Sequence, residues 1–425
     1  PLWYGQTQAQ PQYQAYPPPP PPPAEPRPAA LWQPDVEPAQ RGKPRRLVEL
    51  VAVAALAAIL ASAGTYGVTR GDVDALPAAQ TAQGPTSTNI SQAPVVQADS
   101  SAPNWSVTAA AVSPSVVAIS VTSGRGGGQG SGVIFDTSGH IVTNNHVVAA
   151  AGQGSKITVT LNDKRTYDAT VVGTDPSTDL AVIKLTDAPK DLKAIALGDA
   201  NALKVGEPVM AVGNPLGLAG TVTTGIVSAL NRPVTTSAQG SSDPFGQQSA
   251  AEPVVTNAVQ TSAAINPGNS GGALVNAGGQ LIGINSSIAS LGSSRASAQS
   301  GNIGIGFAIP VNEAKSIADQ LITSGKATHA FLGVKSKDDV VAEGSAKRAA
   351  AVVTDVTDGT PAAKAGLKAG DAIIAIDGDS IDGSLSLVAQ VRERTAGEKV
   401  TLKIVSGGQA KDISVTLADK PATNQ

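Results

Sequence analysis

Nine residues, Asn266-Pro267-Gly268-Asn269-Ser270-Gly271-Gly272-Ala273-Leu274, gather small and turn-forming side chains around one hydroxyl. Glycine lets a backbone approach a ligand closely or take positive φ without a Cβ clash. Such a turn can expose Ser270 Oγ and aim successive N–H groups at one point in front of it. An oxyanion forms at that point in acyl transfer, so the run offers a nucleophile and an oxyanion hole together. Pro-Gly-Asn-Ser is also ordinary turn chemistry, so the residues elsewhere in the chain must decide between the two.

A nucleophilic serine needs a neutral imidazole to take its proton and an acid to fix that imidazole. The chain holds three histidines, His140, His146 and His329. His146 follows Thr143-Asn144-Asn145, where the end of a strand pair can present it from a loop. His140 reads as a solvated turn residue, and His329 sits at a domain junction with no role expected. Asp179 precedes the apolar run Leu180-Ala181-Val182-Ile183, so it can be held semi-buried at a strand edge. Its competitor Asp175, beside Pro176, reads as a turn former. Each residue alone is more simply a turn or cap. The joint pattern is what points to acyl transfer: a presented His, a strand-edge Asp and a glycine-flanked Ser, all within a β-rich region.

Composition removes other chemistries. The chain has 425 residues, a net charge of −3, 41% apolar residues and 3% aromatics. That length predicts two or three domains. The near-neutral charge gives no reason to expect nucleic acid. With no cysteine there is no disulfide framework, thiol catalysis or Cys-ligated zinc. No metal site and no cofactor are expected. The run 124–132, Gly-Arg-Gly-Gly-Gly-Gln-Gly-Ser-Gly, lacks phosphate-loop spacing and a following helix, so it reads as a mobile loop.

Taken in order, residues 1–45 are rich in Pro, Gln and Ala and predict a disordered tail, cytoplasmic if the next segment spans a membrane. A basic cluster, Arg41 to Arg46, then precedes an apolar run over 47–68. As a helix that run is about 33 Å long, enough for a bilayer core. Residues 46–69 are therefore expected to be a single-pass transmembrane signal anchor with the later domains extracytoplasmic. A cleaved signal peptide ending near Ala61-Ser62-Ala63 is the rival reading. Residues 70–104 predict a flexible linker. From 105 to 326, short β-branched runs predict many strands, at 115–121, 132–135, 141–143, 156–161, 169–173, 180–185, 208–212, 225–229, 272–275, 281–286 and 304–309, then a helix over 311–325. The fold class is mainly β, a sandwich or closed barrels. Residues 327–418 form a second, small α+β unit, with strands near 331–334, 351–356, 372–376, 400–405 and 413–417, a short helix after Pro361 and another over 384–394. Residues 419–425 are a polar tail.

Six separated stretches resemble one family: Thr143-Asn-Asn-His146-Val-Val, Thr178-Asp179-Leu-Ala-Val-Ile-Lys184, Gly213-Asn-Pro215-Leu-Gly217, Gly225-Ile-Val-Ser228, Asn266-Pro-Gly-Asn-Ser270-Gly-Gly and Gly304-Ile-Gly-Phe-Ala-Ile-Pro310. They are similar, in order, to the HtrA (high-temperature-requirement) serine proteases. The resemblance covers about residues 106–418. It implies a trypsin-like domain of two six-stranded β-barrels with its site between them, followed by a PDZ domain. Phe331-Leu332-Gly333-Val334 resembles that domain's carboxylate-binding loop, and 359–371 its first helix and turn. The chain departs from the family pattern at Leu216, Ser262 and Ala273, where Phe, Asp and Pro are usual.

On this resemblance, His146, Asp179 and Ser270 are the catalytic residues, and the N–H groups of Gly268, Asn269 and Ser270 form the oxyanion hole. Ile265, Ile305 and Phe307 form a specificity pocket for small apolar side chains. The implied function is an endopeptidase of misfolded envelope proteins in a bacterial cell membrane. A homotrimer is implied, with Trp105 a candidate contact. Two other readings are carried: a peptide-binding protein with a vestigial triad, and a different serine hydrolase. For the latter, Gly268-Asn-Ser270-Gly-Gly fits G-x-S-x-G, but the residue order does not.

Overall fold

A computed structural model describes residues 94–97 and 102–420, apart from 124–125, 153, 215–219, 237–253, 267 and 288–303. All of these lie in one compact unit, Thr86–Gln425. The expected tail 1–45, the apolar span 46–69, most of the linker 70–104 and residues 421–425 lie outside the described residues.

Helix α1 (Trp105–Val112) leads into the first barrel. Its strands are β1 (Val116–Ser123), β2 (Gly126–Ile134), β3 (His140–Asn144), β4 (Lys156–Thr160), β5 (Thr166–Asp175) and β6 (Leu180–Leu185). They close antiparallel in the order β1-β2-β3-β6-β5-β4. A one-turn helix, α2 (Asn145–Val148), follows β3. The two-residue period of a strand sends alternate side chains to opposite faces. Val117, Ile119, Ile141, Ala181 and Ile183 fill the first barrel. Their neighbours Val116, Val142, Leu180 and Val182 face a larger cluster shared with the second barrel.

That second barrel runs β10-β11-β12-β9-β8-β7. It is built from β7 (Pro208–Gly213), β8 (Thr221–Thr236), β9 (Val254–Thr261), β10 (Ala273–Asn276), β11 (Leu281–Ser286) and β12 (Gly306–Pro310). Helix α3 (Val311–Ser324) closes it with Val311, Ala314, Ile317 and Leu321, and ends where Gly325 takes φ 73°. Each fully buried Val, Ile or Leu contributes about 1.5–3 kcal/mol, so aliphatic side chains alone can hold a core with so few aromatics.

Three expectations change here. The glycine run is not a loop over most of its length, because residues 126–132 belong to β2. Its glycines are there for clearance: a Cβ on Gly128 would lie 2.5 Å from the Val147 carbonyl oxygen, and one on Gly132 would lie 2.6 Å from Ile141 Cγ2. Strand β9 carries Thr256, Asn257, Gln260 and Thr261 among its apolar residues, which hid it from a pattern reading. The single-pass membrane location is corrected as well. Among the described residues no helix is long and apolar enough to cross a membrane. The longest described helix, α3, has 14 residues, which makes it about 21 Å long against a hydrocarbon core of about 30 Å.

Beyond α3, a sheet runs β14-β15-β16-β18-β19, from β14 (Val334–Glu343), β15 (Ala346–Val356), β16 (Ala372–Ile376), β18 (Lys399–Ser406) and β19 (Gln409–Thr416). The short strands β13 (Ala330–Phe331) and β20 (Ala418–Asp419) pair with each other, and β17 (Asp379–Ser380) pairs with β16. Helices α4 (Pro361–Lys364) and α5 (Ser384–Arg392) cover a separate core that includes Leu332, Ile373, Leu387, Val391 and Leu402. The β14–β15 hairpin is longer than expected because its outer part is mostly exposed and charged.

Helix α5 packs on β8 and β9, and Asn257 Nδ2 donates to Glu393 Oε2 at 2.7 Å. Nearby Glu313, on α3, is 3% exposed, and its Oε2 has no partner among the described residues. Burial first, then the charges of Glu393 and Asp175, push its carboxyl well above the ordinary 4.5, with Arg392 opposing. A raised folded pKa leaves stability intact below the ordinary value and removes it as pH climbs toward the raised one. Glu313→Gln should therefore raise the melting temperature by about 2–4 °C at pH 8 and leave it unchanged at pH 4. Thermal melts at the two pH values measure this, and an equal shift at both would contradict it.

Candidate active site

The β3–β6 ladder ends with Asn144 opposite Leu180. The next residue on one side opens α2, and the preceding residue on the other is Asp179. The Asn145 N–H donates to the Asp179 carbonyl at 2.9 Å, and Asn144 Nδ2 donates to it at 3.0 Å. Asp179 has φ 59°, a left-handed conformation that Asp tolerates better than most residues. Its carboxylate then meets the start of α2. Asp179 Oδ1 accepts from the His146 N–H at 3.0 Å, and His146 Nδ1 lies 3.0 Å from Oδ1 and 2.8 Å from Oδ2. The acid side chain is 9% exposed and the imidazole 25%. With Nδ1–H given to the carboxylate, Nε2 is left as the basic nitrogen.

The Ser270 loop comes from the second barrel and is clamped to the first by Ser131 on β2. Ser131 Oγ donates to the Gly268 carbonyl at 2.6 Å and accepts from the Asn214 N–H at 2.8 Å. Its N–H donates to the Ser270 carbonyl at 2.8 Å, and Thr143 Oγ1 donates to the Ser131 carbonyl at 2.7 Å. The fit requires glycine at two close approaches. Gly271 has φ 80°, and a Cβ there would lie 2.2 Å from the Ser131 carbonyl oxygen and 3.2 Å from the Asn144 nitrogen. A Cβ on Gly130 would sit between Val147 Cγ2 at 2.6 Å and the Ser270 carbonyl oxygen at 3.1 Å. The Ser270 loop thus lies against the residues flanking His146.

The three expected oxyanion donors differ in their partners. The Asn269 N–H is already given to the Asn266 carbonyl at 3.0 Å. The N–H groups of Gly268 and Ser270 have no acceptor among the described residues. Ile265 lies against Gly306, the residue between Ile305 and Phe307: a Cβ there would lie 3.0 Å from Ile265 Cδ1. Ile265 belongs to the shared barrel cluster. Phe307 is buried with Val234 and Ala258, and Ile305 packs on that small group.

The other histidines are not bland. His140 is buried, and its Nδ1 lies 2.6 Å from Asp136 Oδ2. His329 Nε2 lies 3.0 Å from Asp175 Oδ2 and 2.8 Å from Ser177 Oγ. Burial alone would raise the Asp175 carboxyl; the His329 bond and charge, with the hydroxyls of Ser177 and Thr178, hold it below the usual range. The signal missed in the sequence was the spacing Asp175-Pro-Ser177-Thr178, an acid followed by two hydroxyls.

His329 and Asp175 also line a cavity of about 610 Å³, shared with Phe331, Leu332, Gly333, Val334, Leu387, Val391, Arg392 and Lys420. Gly333 has φ 90°, and a Cβ there would lie 2.2 Å from Thr360 Cβ. The Leu332 and Gly333 carbonyls accept from Ala362 and Thr357. The N–H groups of Leu332 and Gly333 have no acceptor among the described residues.

Two closed barrels, with this serine, histidine and aspartate at their junction, define a trypsin-like peptidase fold with a PDZ-type unit behind it. The description of a trypsin-like peptidase domain matches residues 130–284, and that of a PDZ domain matches residues 324–417. Serine protease PepD of Mycobacterium tuberculosis is 44% identical over 316 residues, 73% of this chain and 65% of that protein. Periplasmic serine endoprotease DegP of Escherichia coli is 41% identical over 307 residues, 69% of this chain and 59% of that protein. The chain thus spans less than two thirds of either relative. Among solved structures, an HtrA-type protease AlgW with a tripeptide is 33% identical with a TM-score of 0.54, covering 76% of this chain and 99% of that one. The chain belongs to the HtrA family of trypsin-like serine proteases. DegP is named as periplasmic.

Ser131→Ala removes the hydroxyl that ties Gly268 to Asn214. A buried donor and acceptor lose their partner, so kcat against a peptide substrate should fall about ten-fold with KM within about two-fold. Steady-state kinetics read this directly, and an unchanged kcat would show that the clamp does not position the loop.

Proposed function

We propose that the chain is a serine endopeptidase acting on unfolded or misfolded proteins through a covalent acyl-enzyme, with peptide C-termini taken by the PDZ unit. The observation that carries the reading is the His146–Asp179 pair, held at the barrel junction beside a Ser270 loop clamped to the neighbouring strand β2. In the reaction, Ser270 Oγ attacks the scissile carbonyl carbon and gives its proton to His146 Nε2. Asp179 holds the Nδ1–H and stabilises the imidazolium. The N–H groups of Gly268 and Ser270 receive the oxyanion. His146 then protonates the leaving amine as the C–N bond breaks, and water, activated by the same imidazole, releases the acyl group. Ile265, Ile305 and Phe307 favour small apolar side chains such as Val or Ala at the cleaved bond.

The cavity beside Leu332 and Gly333 supports the peptide reading. Two unpaired N–H groups suit a terminal carboxylate, Leu387 and Val391 suit an apolar last side chain, and Arg392 and Lys420 suit anionic character. A homotrimer belongs to the same reading. Trp105, its candidate contact, is half-buried against the shared barrel cluster.

Ser270→Ala should lower kcat on casein by about 10⁴-fold or more and abolish labelling by an organophosphonate; cleavage at the normal rate would end the peptidase reading. A peptide ending in Val with a free carboxylate should bind at least ten-fold more tightly than its amide, as judged by fluorescence anisotropy. Equal affinities would remove carboxylate capture.

A further inference from the structure

Strand β11 ends at Ser286, and the next residue, Ser287, touches the nucleophile. The Ser287 N–H donates to Ser270 Oγ at 3.1 Å, and the two hydroxyls share a short hydrogen bond. Ser270 is 3% exposed. Among the described residues, no hydrogen bond joins it to His146. The imidazole is fully paired on its Nδ1 side by Asp179, while its Nε2 has no partner there.

A serine hydroxyl has one proton and two lone pairs. Attack on a carbonyl needs the proton directed at the base and a lone pair free for the carbon. Here the Ser287 N–H takes one lone pair. If the Ser287 hydroxyl donates, the second lone pair is taken as well. If it accepts, the Ser270 proton points away from His146. In both arrangements one of the two requirements fails, although the base is ready.

We propose that Ser287 is a positioning residue that holds Ser270 in a resting rotamer, and that attack requires Ser270 Oγ to exchange Ser287 for His146. This rests on Ser270 being the nucleophile. The position of Ser287 follows from the fold. Gly271 N–H donates to Asn285 O and Asn285 N–H donates to Gly272 O, both at 2.9 Å. That pairing fixes the end of β11 alongside the nucleophile loop, so the residue two places on arrives at Ser270.

The test uses the full chain and compares five proteins: the parent, Ser287→Ala, Ser287→Gly, Ser287→Thr and Ser270→Ala. Readouts are the second-order rate of organophosphonate labelling and kcat and KM on one peptide substrate. Losing the hydroxyl removes one of two restraining bonds. Ser287→Ala should label about 3–10-fold faster, with kcat raised by a similar factor and KM within about two-fold. Ser287→Thr restores the hydroxyl and should return both rates to parental values. A merely structural role would not raise kcat. Ser287→Gly, which also lacks the hydroxyl, must show the same rise, and melting curves identify a variant that has lost its fold. Labelling at or below the parental rate in both hydroxyl-free variants, or failure of Thr to restore it, overturns the restraint while leaving the nucleophile in place. Labelling that persists in Ser270→Ala instead removes the nucleophile assignment, and the restraint with it.

Discussion

The crevice depends on the left-handed backbone at Asp179. A non-glycine residue there costs roughly 1–2 kcal/mol. The turn offsets that cost with four contacts: the Asp179 carbonyl accepts from Asn145 and from the Asn144 side chain, and its carboxylate engages the His146 N–H and ring. No regular strand start would turn both the carbonyl and the carboxylate of one residue toward the opposing chain. The β3–β6 register brings these residues face to face. A one-residue slip would carry Leu180 and Val182 into the first barrel and aim the acid away from the imidazole.

The second half of the site is held by clearance as much as by attraction. Glycine stands where the barrels come closest, Gly130 against the Ser270 carbonyl and Gly271 against Ser131; within the second barrel, Gly213 makes room for Asn269, since a Cβ there would lie 2.4 Å from Asn269 Oδ1. Ser131 exploits that closeness, since one hydroxyl can reach Gly268 and Asn214 at once. The barrels therefore meet through short polar bonds set into an aliphatic interface. That combination gives a rigid crevice without large aromatic side chains.

The contact between the barrels and the PDZ unit has a different character. It is rich in ionisable groups taken out of water. Asp175 is satisfied by His329, Ser177 and Thr178, and its carboxyl is lowered. Glu313 and Glu393 are raised by burial before any neighbouring charge acts. Buried charges without full compensation weaken a packed interface. This junction borders the cavity lined by Leu332 and Gly333.

Sequence by itself determined the parts that local chemistry dictates. Glycines around Ser270, an acid just before an apolar strand, and short apolar runs at 180–185 and 281–286 announced candidate acyl-transfer residues on short strands, because backbone freedom and strand propensity depend on near neighbours only. The family motifs extended this to the barrels and the PDZ unit. Tertiary structure alone decided that the glycine run at 126–132 is a strand, since its need for bare Cα atoms comes from Val147 and Ile141 packing over it. It also decided that Asn269 spends its N–H within the turn, that His329 finds Asp175 and that Ser287 meets Ser270. The His329–Asp175 and Ser287–Ser270 pairs join residues far apart in the chain through packing that only the folded barrels and their neighbour create, and no spacing along the chain encodes those distances.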